Sequence, residues 1–123
     1  MAKILIVDDS QAQLYALRKI LEYADHDVVT AEDGAEGVEK ASSEAPDLIL
    51  MDVVMPGLNG FQATRKISRN PATAKIPVIF VTTKDQESDR VWGMRQGAAA
   101  YLTKPVDKGV LLSSITEALE ART

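Results

Sequence analysis

Lys3-Ile4-Leu5-Ile6-Val7-Asp8-Asp9-Ser10 is a short apolar run that stops abruptly on two acids. An apolar run of this length reads as a strand covered on both faces, as in a parallel sheet packed between helices. The same construction recurs further along. Leu48-Ile49-Leu50-Met51 stops on Asp52, and Ala99-Ala100-Tyr101-Leu102-Thr103 is followed by Lys104. Between the runs lie amphipathic stretches, among them Leu14, Leu17 and Leu21 near the start and Leu111, Ile115, Ala118 and Leu119 near the end. Their three- and four-residue spacing gives each helix a core-facing stripe. The pattern predicts five strands, Lys3 to Val7, Asp27 to Ala31, Asp47 to Met51, Val78 to Thr82 and Ala99 to Leu102, alternating with five helices in an α/β fold.

The punctuation agrees with this alternation. Asp9 or Ser10 is placed to cap the first helix, Asp33-Gly34 separates the second strand from its helix, and Pro46 and Pro77 precede the third and fourth strands. No internal repeat, low-complexity tract or interdomain linker interrupts it, so residues 1–123 are expected to form one domain. The chain is 46% hydrophobic, enough to fill one core, and carries a net charge of −4. That balance supplies no basic stripe for nucleic acid or an anionic membrane surface. The absence of cysteine removes disulfides and thiolate metal sites. With no signal peptide or membrane span in the pattern, the expected location is the cytoplasm.

The strand ends carry the chemistry. In an open parallel sheet the carboxyl ends of the strands share one edge, where ligands bind. Asp8, Asp9 and Asp52 gathered there repel one another unless a cation joins them, and a hard divalent ion, Mg²⁺ first, suits an all-oxygen set. A carboxylate such as Asp52 beside that ion can act as a nucleophile toward a phosphoryl group. Lys104 supplies an ammonium for the phosphoryl oxygens and Thr82 a hydroxyl. Taken singly, Asp8 and Asp9 read as a helix cap and a solvated acid, Lys104 as a surface lysine and Thr82 as a β-branched strand residue. Their joint placement at separate strand ends favours a site.

Val7-Asp8-Asp9-Ser10, the stretch Asp52 to Gly60 with Met55-Pro56, Pro77 to Thr83, and Tyr101 to Pro105 together resemble the receiver domains of two-component response regulators, the family of the chemotaxis protein CheY. The motifs span essentially the whole chain in the family's order. Thr82-Thr83-Lys84-Asp85-Gln86-Glu87 and Val91-Trp92-Gly93 are most similar to PilH-type single-domain regulators of twitching motility and related chemosensory systems. The resemblance implies a flavodoxin-like (βα)5 three-layer sandwich with strand order 2-1-3-4-5, helices one and five on one face and two, three and four on the other. It implies that Asp52 is the phosphoacceptor and that Asp8, Asp9, Asp52 and the backbone carbonyl of Val54 hold Mg²⁺. Lys104 contacts the phosphoryl group, Thr82 and Tyr101 form a switch pair, and Lys104-Pro105 is a cis bond. A histidine kinase is the implied donor and a protein target or motor component the recipient, reached through the face of helix four, strand five and helix five. A monomer is expected, with dimerisation on phosphorylation as the alternative, and no catalysis beyond the protein's own phosphorylation and autodephosphorylation.

Two positions depart from the family's usual pattern. Thr83 is larger than the residue often found there, which is expected to narrow access to the phosphoryl group. Val54 offers no polar side chain to orient water, so slow autodephosphorylation is expected. A Mg²⁺-dependent phosphohydrolase is the enzymatic competitor, but the second acid it needs two residues after the nucleophile is Val54 here. A phosphate-free binding module has no use for Asp8, Asp9, Asp52, Thr82 and Lys104 together. No DNA-binding domain is expected within these 123 residues, a fragment of a larger protein being the alternative, and Asp8-Asp9-Ser10 stands where a nucleotide fold would carry a glycine-rich loop. His26 in Asp25-His26-Asp27 reads as a solvated loop residue rather than a phosphocarrier, Trp92 as a partly buried residue of a helix in the expected output face, and Arg90 and Arg95 as a solvated helix face, with contact of Arg90, Arg95 and Tyr101 to a partner as the alternative.

Overall fold

A computed structural model describes residues 2–122, so Met1 and Thr123, the two ends of the 1–123 reading, lie outside the described residues. Five parallel strands, β1 (Lys3–Val7), β2 (Asp27–Ala31), β3 (Leu48–Met51), β4 (Val78–Thr82) and β5 (Ala100–Thr103), form one sheet of order β2-β1-β3-β4-β5. They alternate with α1 (Gln11–Tyr23), α2 (Gly34–Ser43), α3 (Gly60–Arg69), α4 (Glu87–Arg95) and α5 (Lys108–Ala121). The order and alternation are those of the flavodoxin-like sandwich.

Side chains that alternate along each strand feed two cores. Ile4, Ile6, Leu48, Leu50, Ile79 and Val81 pack with Leu14, Leu17 and Leu21 of α1 and Leu111 and Ile115 of α5. On the other face, Leu5, Val7, Ile49, Met51 and Phe80 pack with Ala41 of α2 and Ala63 and Ile67 of α3. Each fully buried leucine or isoleucine contributes about 1.5–3 kcal/mol, so both faces hold the central strands in place. The helix starts are fixed by local polar bonds. Ser10 Oγ accepts from Gln13 N at 3.3 Å, Asp33 Oδ1 accepts from Glu36 N at 2.8 Å, and Asn59 and Gln62 form a reciprocal capping box.

Two strand limits and one loop differ from the sequence reading. β3 begins at Leu48 because Asp47 serves as a connector: its carboxylate accepts from Lys3 N at 2.8 Å and from Arg122 at 3.1 Å, joining β1 to the residue after α5. β5 is displaced by one residue because the chain is still turning at Gly97 (φ 98°), and ladder pairing runs from Ala100 opposite Ile79 to Thr103 opposite Thr82. His26 is half-buried rather than solvated. Its Nδ1 accepts from Ala2 N at 3.1 Å, and burial lowers its pKa against the pull of Asp25 and Asp27.

The loop after β3 is held by close backbone contact. Gly60 N donates to Val53 O at 2.9 Å, and a Cβ on Gly60 would collide with the Asp52 carbonyl oxygen and come within 2.8 Å of Val53 Cα. Only glycine lets α3 start against the chain that carries Asp52. Gly60→Ala is expected to destabilise the fold by about 2 kcal/mol. A lowered urea midpoint with an unchanged denaturant slope is the measurement that checks it.

Candidate functional site

The ladder between β1 and β3 pairs Val7 with Met51, so the next residues, Asp8 and Asp52, emerge side by side. Each is anchored through its own backbone: Asp8 N donates to Ala31 O at 3.1 Å and Asp52 N to Val7 O at 2.9 Å. On the far side, β4 and β5 pair Thr82 with Thr103, and Lys104 N donates to Thr82 O at 2.8 Å, which turns the lysine back over the edge. The peptide bond from Lys104 to Pro105 is cis. Register alone therefore brings together residues almost a hundred positions apart.

The side chains converge as the strand order requires. Asp8, Asp9 and Asp52 each offer a carboxylate oxygen, all within 4.8 Å of one another. Asp8 and Asp52 are buried, at 1% and 7% exposure, while Asp9 is open to solvent. Lys104 Nζ lies 2.7 Å from Asp8 Oδ2 and 3.5 Å from Asp52 Oδ2. Asp8 Oδ1 accepts from Ser10 N at 2.9 Å, and Asp52 Oδ1 from Val53 N at 2.8 Å. Burial raises the Asp52 pKa; Lys104 opposes that rise, Asp8 adds to it, and the bonds from Thr82 and Val53 oppose it. One ammonium against three carboxylates leaves the cluster short of positive charge. Such an all-oxygen, net-negative set suits a hard divalent cation.

Thr82 is fully buried, and its Oγ1 accepts from Lys84 N at 3.2 Å. Tyr101 is half-buried, with its hydroxyl donating to Lys84 O at 2.8 Å. The ring lies 5.8 Å from that of Phe80 and so close to α4 that a Cβ on Gly93 would stand 2.8 Å from Tyr101 Cδ2. Burial, then the charges of Asp89, Asp52 and Asp85, push the Tyr101 pKa up to about 12, keeping the hydroxyl a donor. Val54 is half-exposed and lines, with Met55, Phe61, Lys84 and Trp92, a hollow of about 430 Å³ beside the site. Thr83 is exposed and faces a different hollow, lined by Gln13, Leu17, Lys104 and Pro105.

Sequence patterning gives no sign of the Ser10 and Val53 amides that hold the two buried carboxylates, because every residue except proline carries such a group. Nor does it show that Lys84 joins Thr82 to Tyr101 through its own backbone. Asp89, 3.7 Å from Lys84 Nζ, was legible only as an acid in the first turn of α4.

A doubly wound sheet with acids, a hydroxyl and an ammonium on one edge is the architecture of a signalling receiver. The comparison with known families agrees: the response regulator receiver domain matches residues 4–116, and the chain belongs to that family. It is 59% identical to the protein PilH of Pseudomonas aeruginosa over 119 residues, 97% of this chain and 98% of that protein. It is 40% identical to the response regulator PleD of Caulobacter vibrioides, covering 93% of this chain but 25% of PleD. Among solved structures, the chemotaxis protein CheY4 of Vibrio cholerae superposes with a TM-score of 0.89 at 31% identity, covering 96% of this chain and 98% of that one. Among the described residues, no helix is long and apolar enough to cross a membrane.

The electrostatics carry a testable consequence. In a buffer without divalent cations, Lys104→Met leaves the buried Asp8 and Asp52 charges uncompensated and is expected to cost about 3 kcal/mol of stability. Adding Asp52→Asn is expected to recover part of that loss in a double-mutant cycle of urea midpoints.

Proposed function

We propose that this chain accepts a phosphoryl group from a histidine kinase onto Asp52 and signals through the protein contacts it then makes. The observation that carries the reading is the convergence of Asp8, Asp9 and Asp52 around the Lys104 ammonium at one sheet edge. Asp8, Asp9, Asp52 and the Val54 carbonyl would hold Mg²⁺, which would supply positive charge to the phosphoryl oxygens. A carboxylate oxygen of Asp52 forms the new bond to phosphorus while the bond to the donor nitrogen breaks, and the leaving imidazole keeps the electron pair. Lys104 and the Thr82 hydroxyl stabilise the oxygens of the group being transferred. The aspartyl phosphate is later released by attack of water on phosphorus.

Lys84 supports a route from this event to the surface. Its N–H donates to Thr82 and its carbonyl accepts from Tyr101, so the two switch residues share one peptide segment. When the Thr82 hydroxyl turns toward the phosphoryl group, that segment is released and the Tyr101 ring moves inward. The face built by α4, β5 and α5 changes shape for a downstream protein target or motor component. The likeness to PilH supports a place in a twitching-motility or chemosensory pathway, working in the cytoplasm.

Intact mass after incubation with acetyl phosphate tests the core of this reading. A labile gain of about 80 daltons is expected with Mg²⁺ present, and none without Mg²⁺ or in Asp52→Ala. A gain that persists in Asp52→Ala would overturn the assignment. A second measurement concerns lifetime. Val54 is half-exposed beside the site and presents only methyl groups to an incoming water. Val54→Asn is expected to shorten the aspartyl phosphate half-life by about tenfold, less than a full general base achieves because the amide only orients the water. An unchanged or longer half-life counts against the expectation of slow autodephosphorylation.

A further inference from the structure

The chain holds six arginines, at positions 18, 65, 69, 90, 95 and 122. Arg18, Arg90 and Arg122 are each paired with a carboxylate. Among the described residues the other three have no such partner, and all three line one groove between α3 and α4, with Ser68, Trp92 and Gln96. The groove has a volume of about 430 Å³ and lies open along the helix seam. α3 contributes Arg65 and Arg69 to it and contains no acid. In a chain of net charge −4, this patch opposes the overall sign.

The groove is also partly pre-organised. Arg65 Nε donates to Gln96 Oε1 at 3.0 Å, and Gln96 Nε2 donates to Trp92 O at 3.1 Å. The Arg65 guanidinium stands 5.9 Å from the centre of the Trp92 ring, within cation–π range, and keeps its terminal N–H groups for another acceptor. Arg69 and Arg95 are exposed and present their full forks. Trp92 itself is 45% exposed. Tryptophan and arginine are the residues that most often dominate protein interfaces, and guanidinium forks match carboxylates in bidentate fashion.

We propose that this α3–α4 groove is a docking site for an acidic segment of a partner protein, whose carboxylates pair with Arg65, Arg69 and Arg95 against the Trp92 ring. An open trough buries too little of a small anion to hold it tightly, and three arginines on an acidic molecule are a poor match for a nucleic acid. None of Asp8, Asp9, Asp52, Thr82 and Lys104 lines the groove, although Trp92 also borders the hollow beside Val54, and the groove is already formed in the unphosphorylated chain.

Trp92 is the single tryptophan of the chain, so its fluorescence reports on the groove directly. The probe is an octaglutamate peptide titrated at low salt, with octalysine and inorganic triphosphate in parallel. Saturable quenching or a spectral shift is expected with octaglutamate and not with octalysine. Arg69→Glu and Arg95→Glu, both at exposed positions, are each expected to weaken the affinity by about tenfold, since reversal adds repulsion to the lost pair. Lys19→Glu changes the net charge equally but sits on α1, across the sheet, and is expected to leave the affinity unchanged. The proposal is overturned by an absent response, by equal weakening in Lys19→Glu, or by arginine reversals that leave binding intact. Triphosphate binding more tightly than the peptide would overturn the protein partner in favour of a phosphate ligand.

Discussion

The rest of the structure depends on one electrostatic constraint: two buried carboxylates held side by side. Asp8 and Asp52 follow directly from paired strands, and neither can leave the edge without breaking the bonds that Asp8 N and Asp52 N make to Ala31 O and Val7 O. Lys104, 2.7 Å from one and 3.5 Å from the other, offsets part of the repulsion. Its charge must come from the fifth strand, which the order β2-β1-β3-β4-β5 places two strands from β3. The parallel sheet is thus more than a scaffold under the site. Its order sets which charges meet, and its two apolar cores offset the energy stored in their meeting.

That dependence explains what the sequence revealed. β1, β3 and β4 are nearly uniform apolar runs, and a charge or hydroxyl that ends such a run must emerge at the sheet edge. Asp8, Asp9, Asp52, Thr82 and Lys104 were therefore legible as a group before any contact was known. The less apolar margins were not. Asp47 looks like the first residue of a strand and serves instead as a bracket between Lys3 and Arg122. His26, between two acids, looks solvated, yet it closes the start of β1 through Ala2. In both cases a polar side chain satisfies a distant backbone or guanidinium group, a relation with no period in the sequence.

The conformational side of the site rests on α4, the least firmly held of the helices. Gly93 is its one buried residue, and its N-cap, Gln86, makes no side-chain capping bond. The helix is positioned instead by neighbours: the Tyr101 ring against Gly93, the Lys84–Asp89 ion pair at its first turn, and the bond from Arg65 Nε of α3 to Gln96 Oε1 at its C-cap. Elements with few buried apolar contacts open at low free energy and are the ones that move in signalling proteins. The Tyr101 hydroxyl and the Thr82 hydroxyl both bond to Lys84, three residues before α4 begins. The Lys84 peptide segment thus lies between the Asp52 edge and α4, beside the Tyr101 ring that packs on Phe80 of the second core. Because Trp92 and Arg95 lie on that same helix, any displacement of α4 also changes the spacing between their groove and the arginines of α3.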